Sequence, residues 1–197
     1  MFIGIAGIIG AGKTTLTRNL ADHLGYEAFY EPVKENAYLA AFYTDMNRWG
    51  AMMQIYLLFK RFEQHQKVVW SSDKGAVQDR TIYEDSIFAK MLVHLELMDE
   101  RDYRTYQSLF HHMSNFMCRP NLIVYLDVKP ERSLERIESR SRDVESGISL
   151  EYLEALYAGY EEFIAAISKT IPVIRIDYDR FRSAEEMAQV IQREHLD

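Results

Sequence analysis

The chain has 197 residues, 48% of them hydrophobic, which is enough for one domain with a substantial core. Its formal net charge of −7 excludes a broad electrostatic grip on nucleic acid or anionic lipid, so an anion site must come from a local group of basic residues. Cys118 is the only cysteine, which excludes an internal disulfide and a cysteine-based metal site.

Short β-rich runs alternate with longer helical stretches. Continuous apolar character, as in 122–126, predicts strands buried on both faces of a parallel sheet. Helical periodicity predicts helices over 15–24, 49–70, 82–97 and 150–167, the last capped by Ser149. The predicted strands are Phe2–Ala6, Ala28–Tyr30, Ala76–Asp79, Leu122–Leu126 and Val173–Ile176. This order predicts a three-layer α/β fold in a single domain over 1–197, with ligands beyond the carboxyl ends of the strands.

The first predicted strand runs directly into a segment of the form Gly-x-x-x-x-Gly-Lys-Thr at 7–14. In such a phosphate-binding loop, backbone N–H groups wrap a phosphate at a helix N-terminus, the lysine reaches the outer phosphates and the threonine hydroxyl goes to Mg²⁺. The sequence therefore predicts a P-loop NTPase fold that binds a nucleoside triphosphate. The predicted binding residues are Gly7, Ile8, Ile9, Gly10, Ala11, Gly12, Lys13, Thr14 and Thr15.

Charged residues follow the second and third predicted strands. Glu31, in Glu31-Pro32, is positioned to accept a proton from a neutral alcohol that attacks the γ-phosphate. Asp79, which ends the third strand, is suited to hold Mg²⁺ together with the loop threonine, and Arg80 can neutralise charge on the transferring phosphoryl group. The sequence leaves open whether the roles are reversed, with Asp79 as the proton acceptor and Glu31 as the metal ligand, or shared.

Arginines are concentrated at the end of a predicted helix, at Arg136, Arg140 and Arg142. In so acidic a chain, this pattern favours a lid over about 140–149 that brings guanidinium groups onto the triphosphate. The alternative is a salt-bridged helix face, with glutamates at 131, 135 and 138 as partners.

With these motifs assembled, the chain resembles the deoxynucleoside kinase family, in the branch that phosphorylates deoxycytidine, deoxyguanosine and deoxyadenosine. The resemblance covers nearly the whole chain, and its specific part is the spacing. The matching residues are Glu31-Pro32, then Tyr43, Gln54 and Arg61, then Asp79-Arg80-Thr81 with Asp85, then Arg140, Arg142 and Glu145. It implies transfer of the γ-phosphoryl of ATP, with Mg²⁺, to the 5′-hydroxyl of a deoxynucleoside in nucleotide salvage.

The resemblance also implies roles for single residues. Glu31 would take the proton from the 5′-hydroxyl beside Arg80, while Tyr43 and Glu145 would bind the 3′-hydroxyl. Thr14 and Asp79 would hold the metal.

At the base, Gln54 would bind an edge in two-point fashion, and Arg61 and Asp85 would pair at the far end of the pocket. Phe88 would provide a stacking surface. The Arg61/Asp85 pair favours purines or deoxycytidine over thymidine.

Two alternatives remain at this stage. A nucleoside monophosphate kinase of the thymidylate kinase type shares the loop and the lid, but its anionic acceptor calls for basic residues where Glu31 stands. A regulatory P-loop switch, the second alternative, gives no function to Gln54, Arg61 and Asp85.

We further expect a homodimer, with helices 49–70 and 82–97 as contact surfaces, and no nucleic-acid or membrane partner. A cytoplasmic location is expected, because the first strand starts at Phe2 and no export signal or membrane span is seen.

Overall fold

A computed structural model describes residues 1–31, 36–71, 74–140 and 147–195. Within these ranges, five parallel strands form one sheet in the order β2-β3-β1-β4-β5. The strands are β1 (Phe2–Ala6), β2 (Glu27–Phe29), β3 (Ala76–Asp79), β4 (Leu122–Asp127) and β5 (Val173–Asp177). The predicted three-layer α/β fold is confirmed, and β2 lies one residue earlier than predicted.

Helices flank this sheet. They are α1 (Lys13–Leu24), α2 (Leu39–Thr44), α3 (Met46–Ser71), α4 (Asp85–His94), α5 (Glu100–Ser114), α6 (Pro130–Ser139), α7 (Leu150–Ile167) and α8 (Ala184–His195). Helix α1 packs against β1, β2, β3 and α8, whereas α4 packs against α3, α5 and α7. The predicted Ser149 cap of α7 is present, since its side chain accepts a hydrogen bond from the backbone N–H of Tyr152 at 3.1 Å.

Burial follows each strand's position in the sheet. All residues of β1 and β3 are buried, as is β4 up to Leu126, which explains the continuous apolar runs of β1 and β4. The edge strand β5 alternates between buried and more exposed residues, because only one of its faces meets the core.

Strand register sets the place of the candidate site. Ile5 of β1 pairs with Asp79 of β3, so β3 ends at nearly the same height at which β1 enters the phosphate-binding loop. Parallel pairing brings the residues that follow β1, β2 and β3 to the same edge of the sheet.

The region predicted as one helix over 82–97 divides into two elements. Ile82–Glu84 forms a 3₁₀ turn, closed by a capping box between Thr81 and Glu84, and α4 follows from Asp85 to His94. The chain then leaves the helix at Leu95, and Glu96 has a left-handed φ of 57°. The stretch has helical periodicity, but the Thr81/Glu84 capping box at its start and the left-handed Glu96 near its end restrict the α-helix to Asp85–His94.

Across the described ranges, helices that combine enough length with enough apolar character to cross a membrane are absent.

Candidate active site

The phosphate-binding loop adopts the backbone conformation that its glycines permit. Gly10 and Gly12 have φ of 81° and 97°, a region that other residues rarely adopt. Gly12 is the N-cap of α1 and provides no side-chain cap, so the first N–H groups of the helix are left for a ligand. The loop thus presents backbone donors and the positive end of the α1 dipole, which together form an anion site.

The loop lysine lies inside this cradle. The ammonium of Lys13 donates to the carbonyl oxygens of Gly7 at 2.9 Å and Ile8 at 2.8 Å. Burial, followed by repulsion from Arg80, lowers the pKa of Lys13 to about 8, against the attraction of Asp79 and Glu31. Among the described residues this buried ammonium is hydrogen-bonded to neutral carbonyls, which negatively charged phosphate oxygens can replace with stronger hydrogen bonds.

Hard oxygen donors meet between the loop and β3. The Thr14 hydroxyl donates to Asp79 Oδ2 at 2.5 Å, and the buried Asp79 Oδ1 makes no hydrogen bond to a described residue. Burial raises the pKa of Asp79, and the nearby Glu31 charge adds to this. A hydroxyl beside a carboxylate with an unused oxygen fits Mg²⁺, which proteins commonly bind by one or two carboxylates plus substrate phosphates. The described residues contain no group of three or more His, Cys, Asp or Glu side chains that could hold a metal by themselves.

Glu31 lies between two arginines. Its carboxylate forms an ion pair with Arg61, and its other oxygen lies 3.4 Å from Nε of Arg80. Burial alone would raise the pKa of Glu31, but the Arg61 and Arg80 guanidiniums outweigh it and hold the pKa at about 2. Glu31 is therefore an ionised acceptor at the cavity wall, with 19% of its side chain exposed.

The same arginine reaches a second carboxylate behind the site. Arg61 pairs with Asp85, and the two side chains are 2% and 0% exposed. The Phe88 ring lies against both cations, 5.9 Å from the Arg61 guanidinium carbon and 4.5 Å from that of Arg80. Arg61 therefore links Glu31 to the residue predicted at the far end of the base pocket.

These groups line one cavity of about 330 Å³. Its wall contains most of the residues that the sequence predicted: Ile9, Gly10, Gly12, Lys13, Thr14, Thr15, Glu31, Tyr43, Gln54, Arg61, Asp79, Arg80, Phe88 and Arg140. Gln54 is 2% exposed, and its side-chain oxygen makes no hydrogen bond to a described residue, so it is available to a ligand. Asp85 contacts the cavity through Arg61.

Sequence reasoning missed several wall residues, namely Asn36, Leu39, Phe42, Leu57 and Tyr152. They come from α2, the residues before it, α3 and the first turn of α7. Tyr152 carried the clearest signal, because it directly follows the predicted lid and the Ser149 cap. The apolar residues carried none, since they resemble ordinary core residues in sequence.

The arginines of the predicted lid are placed differently from one another. Arg136 donates to the carbonyl oxygens of Ala11 at 3.2 Å and Tyr178 at 2.8 Å, and its guanidinium lies 4.3 Å from the Phe181 ring centre. It thus contacts the phosphate-binding loop directly from α6. Arg140 lines the cavity, while Arg142 and Glu145 lie outside the described residues.

Phe181 is a further residue that sequence reasoning missed. It is largely exposed, and a Cβ at Gly12 would lie only 2.8 Å from its ring. In sequence it is an aromatic residue between two arginines shortly after the last predicted strand, a pattern that does not by itself indicate a binding role.

A phosphate-binding loop with a hydroxyl and a carboxylate for Mg²⁺ is by itself typical of any P-loop NTPase. The carboxylate of Glu31 and a cavity of about 330 Å³ beside this loop are typical of a P-loop kinase that takes a small-molecule acceptor. The family model described as "Deoxynucleoside kinase" matches residues 3–195. The chain belongs to the deoxynucleoside kinase family, as the motif spacing predicted.

Curated relatives and solved structures agree with this assignment. The chain is 53% identical to a deoxyadenosine kinase of Dictyostelium discoideum over 98% of this chain and 78% of that one. It is 39% identical to a deoxyadenosine/deoxycytidine kinase of Bacillus subtilis (strain 168), over 97% and 90% of the two chains. The structure of a deoxyadenosine kinase from M. mycoides with bound dCTP matches with a TM-score of 0.86 at 33% identity, over 98% and 97% of the two chains. The enzyme is a nucleoside kinase that phosphorylates deoxynucleosides, and family membership argues against a monophosphate kinase or a regulatory switch.

Proposed function

We propose that this enzyme transfers the γ-phosphoryl of ATP, with Mg²⁺, to the 5′-hydroxyl of a purine deoxynucleoside. The observation that carries the proposal is the single cavity in which the phosphate-binding loop faces Glu31 and Arg80 while Gln54 and Arg61 line the same wall. One cavity would thus bring together the donor phosphates, a proton acceptor and polar groups for a base, as in-line transfer requires.

The donor triphosphate would occupy the loop and the N-terminus of α1. Lys13 would leave its two carbonyl partners to contact the outer phosphates. Thr14 and Asp79 would hold Mg²⁺, which would supply positive charge to neutralise the phosphates of the donor. Arg136 and Phe181 would enclose the donor base beside Gly12, and Arg140 and Arg142 would contact the phosphates.

Glu31 would accept the proton of the 5′-hydroxyl. Its low pKa makes it a weak base, yet it is ionised at every pH near neutrality and so always able to accept. A weak base suffices when phosphoryl transfer is largely dissociative, since the hydroxyl then loses its proton late. Arg80, beside Glu31, would stabilise charge on the transferring group.

Gln54 and the Arg61/Asp85 pair would recognise the base over Phe88, and Tyr43 and Glu145 would bind the 3′-hydroxyl. The purine preference is supported by the relatives' names, which include deoxyadenosine kinases and a deoxyguanosine kinase of Dictyostelium discoideum that is 34% identical. An M. mycoides relative with a TM-score of 0.87 is described with dCMP and dCDP as products, which supports a nucleoside acceptor for that protein.

The test is a kcat/KM panel over the four natural deoxynucleosides and their 5′-monophosphates, with ATP as donor. We expect turnover of deoxyadenosine and deoxyguanosine, and none of the monophosphates. Glu31→Gln should lower kcat by about 10²–10⁴ with KM largely kept. Glu27→Gln, on the exposed part of β2 just before it, is the matched control. Phosphorylation of monophosphates, or near-normal turnover by Glu31→Gln, would refute the proposal.

We also propose a homodimer, with α3 rather than α4 as the contact surface among the two helices expected from sequence. Most apolar residues of α4 are buried within the chain, so this helix offers little apolar surface to a partner. Helix α3 instead exposes Met52 and Phe59, seven residues apart on one face, and the neighbouring α5 region exposes Leu109 and Phe116. Phe59→Glu should convert a dimer into a monomer in light scattering, whereas Phe181→Glu, outside these helices, should not. A wild-type protein that is monomeric in light scattering would contradict the proposed dimer. The cytoplasmic location remains a prediction from sequence.

A further inference from the structure

A buried chain of hydrogen bonds runs from Arg80 to two residues outside the cavity wall. Arg80 Nη1 donates to the Tyr160 hydroxyl at 2.9 Å, and that hydroxyl donates to Glu84 Oε2 at 2.7 Å. The other Glu84 oxygen accepts from the backbone N–H of Thr81 at 2.9 Å. Each of these side chains is at most 3% exposed.

The backbone at Arg80 is held in an unusual conformation. Its φ is 61°, a left-handed value that costs a residue with a side chain about 1–2 kcal/mol. Such a conformation persists only where the surroundings enforce it. The capping box of Thr81 with Glu84 fixes the next residue, and a Cβ at Gly4 would overlap the Thr81 methyl group, so β1 confines this turn from beneath.

The Tyr160 hydroxyl separates two opposite charges. Arg80 and Glu84 are both buried, and each contacts the hydroxyl rather than the other. The Tyr160 ring is itself fixed, since it is fully buried and stacks on Tyr125 with centroids 5.9 Å apart. The hydroxyl therefore holds Arg80 at a set distance from Glu84 and leaves its Nε toward Glu31 at 3.4 Å.

We propose that Tyr160, supported by Glu84, is a positioning residue that fixes the Arg80 guanidinium for phosphoryl transfer. This rests on the role proposed above for Arg80. Without the hydroxyl, Glu84 would draw Arg80 toward itself and away from Glu31, because an unpaired buried carboxylate strongly favours the nearest cation. The ground-state contacts of both substrates would remain, so turnover falls while binding is kept.

Tyr160→Phe tests this directly. We expect kcat to fall about 10- to 100-fold, the effect of a hydrogen bond to a charged group, with KM for ATP and deoxyadenosine within about threefold. Tyr125→Phe is the matched control, because it also removes one hydroxyl, bonded to Glu161, from a fully buried tyrosine of the same stack. It should keep wild-type kcat and lose similar thermal stability.

A double-mutant cycle with Arg80→Ala separates positioning from other effects. In the Arg80→Ala background, Tyr160→Phe should change kcat by less than about twofold, since the residue through which it acts is gone. An equal loss in both backgrounds, or a loss shared by Tyr125→Phe, overturns the inference. If Tyr160→Phe does not fold, Glu84→Gln takes its place in the cycle, because glutamine carries no charge and has one acceptor oxygen for the two donors, the Thr81 N–H and the Tyr160 hydroxyl. Full turnover by Arg80→Ala alone would instead refute the role of Arg80.

Discussion

The Arg61/Asp85 pair provides the sharpest test of how the site is built. Arg61 and Arg80 face Glu31 and Asp85, so two cations balance two anions in a region that is almost closed to water. Asp85→Ala removes one anion and leaves Arg61 with Glu31 alone. Because Arg61 is 2% exposed, water cannot replace the lost partner.

The expected loss of stability is large. Breaking a buried ion pair by removing one partner costs about 3–5 kcal/mol. For a chain of this size, each kcal/mol lowers Tm by about 2–4 °C, so Asp85→Ala should melt about 6–20 °C below the wild type. Asp85→Asn keeps the volume and an acceptor, and should lose clearly less.

Denaturant unfolding and thermal melting of the apo enzyme measure these changes. Glu162→Ala is the control, because it breaks an ion pair with Lys90 whose side chains are 67% and 62% exposed, and it should leave stability nearly unchanged. The double variant Asp85→Ala/Arg61→Met should recover part of the loss, since no charge is then left unpaired. If Asp85→Ala were as stable as Glu162→Ala, the claim that Asp85 is needed to balance the buried charge of Arg61 would be wrong.

Three further predictions concern the donor side. Lys13 binds phosphate as a cation, and burial lowers its pKa to about 8. Therefore kcat/KM for ATP should fall as the pH rises through about 8. A kcat/KM for ATP that stays constant up to pH 10 would contradict this prediction. Gly10→Ala should lower the free energy of unfolding by more than about 1 kcal/mol and raise KM for ATP. The reason is that Gly10 has a φ of 81°, and a Cβ there would lie 2.8 Å from the Ser133 carbonyl oxygen. An unchanged melting temperature would refute this prediction. Phe181→Ala should raise KM for ATP about 2- to 30-fold, because it removes the contact of Phe181 with Arg136. KM for the deoxynucleoside should stay constant. A change in KM for the deoxynucleoside would argue against a role of Phe181 at the donor base.

Local signals predicted most of the fold. Apolar runs bounded by turn residues marked the strands to within a residue or two, because buried parallel strands need such runs whatever surrounds them. The limit appeared at 82–97, where the Thr81/Glu84 cap and the left-handed Glu96 divide a stretch that periodicity joins. Caps and single left-handed residues depend on a few atoms, so a pattern averaged over many residues does not detect them.

The candidate site divides in the same way. The loop, Glu31, Gln54, Arg61 and Asp79 could be selected from sequence, because each belongs to a motif of fixed spacing. Tyr160 and Phe181 could not, since each reaches the site from an element distant in the chain and looks like a core or surface aromatic residue.

The order of residues by itself determined that the chain has a phosphate-binding loop between a strand and a helix, an acidic residue just after the second strand and another at the end of the third. Only the tertiary structure decided which charges are partners: Arg61 joins Glu31 to Asp85, and Tyr160 stands between Arg80 and Glu84. The physical reason is that ion pairing and desolvation depend on distance and burial. Both are set by how α3, α4 and α7 pack around the sheet edge, and spacing along the chain does not encode them.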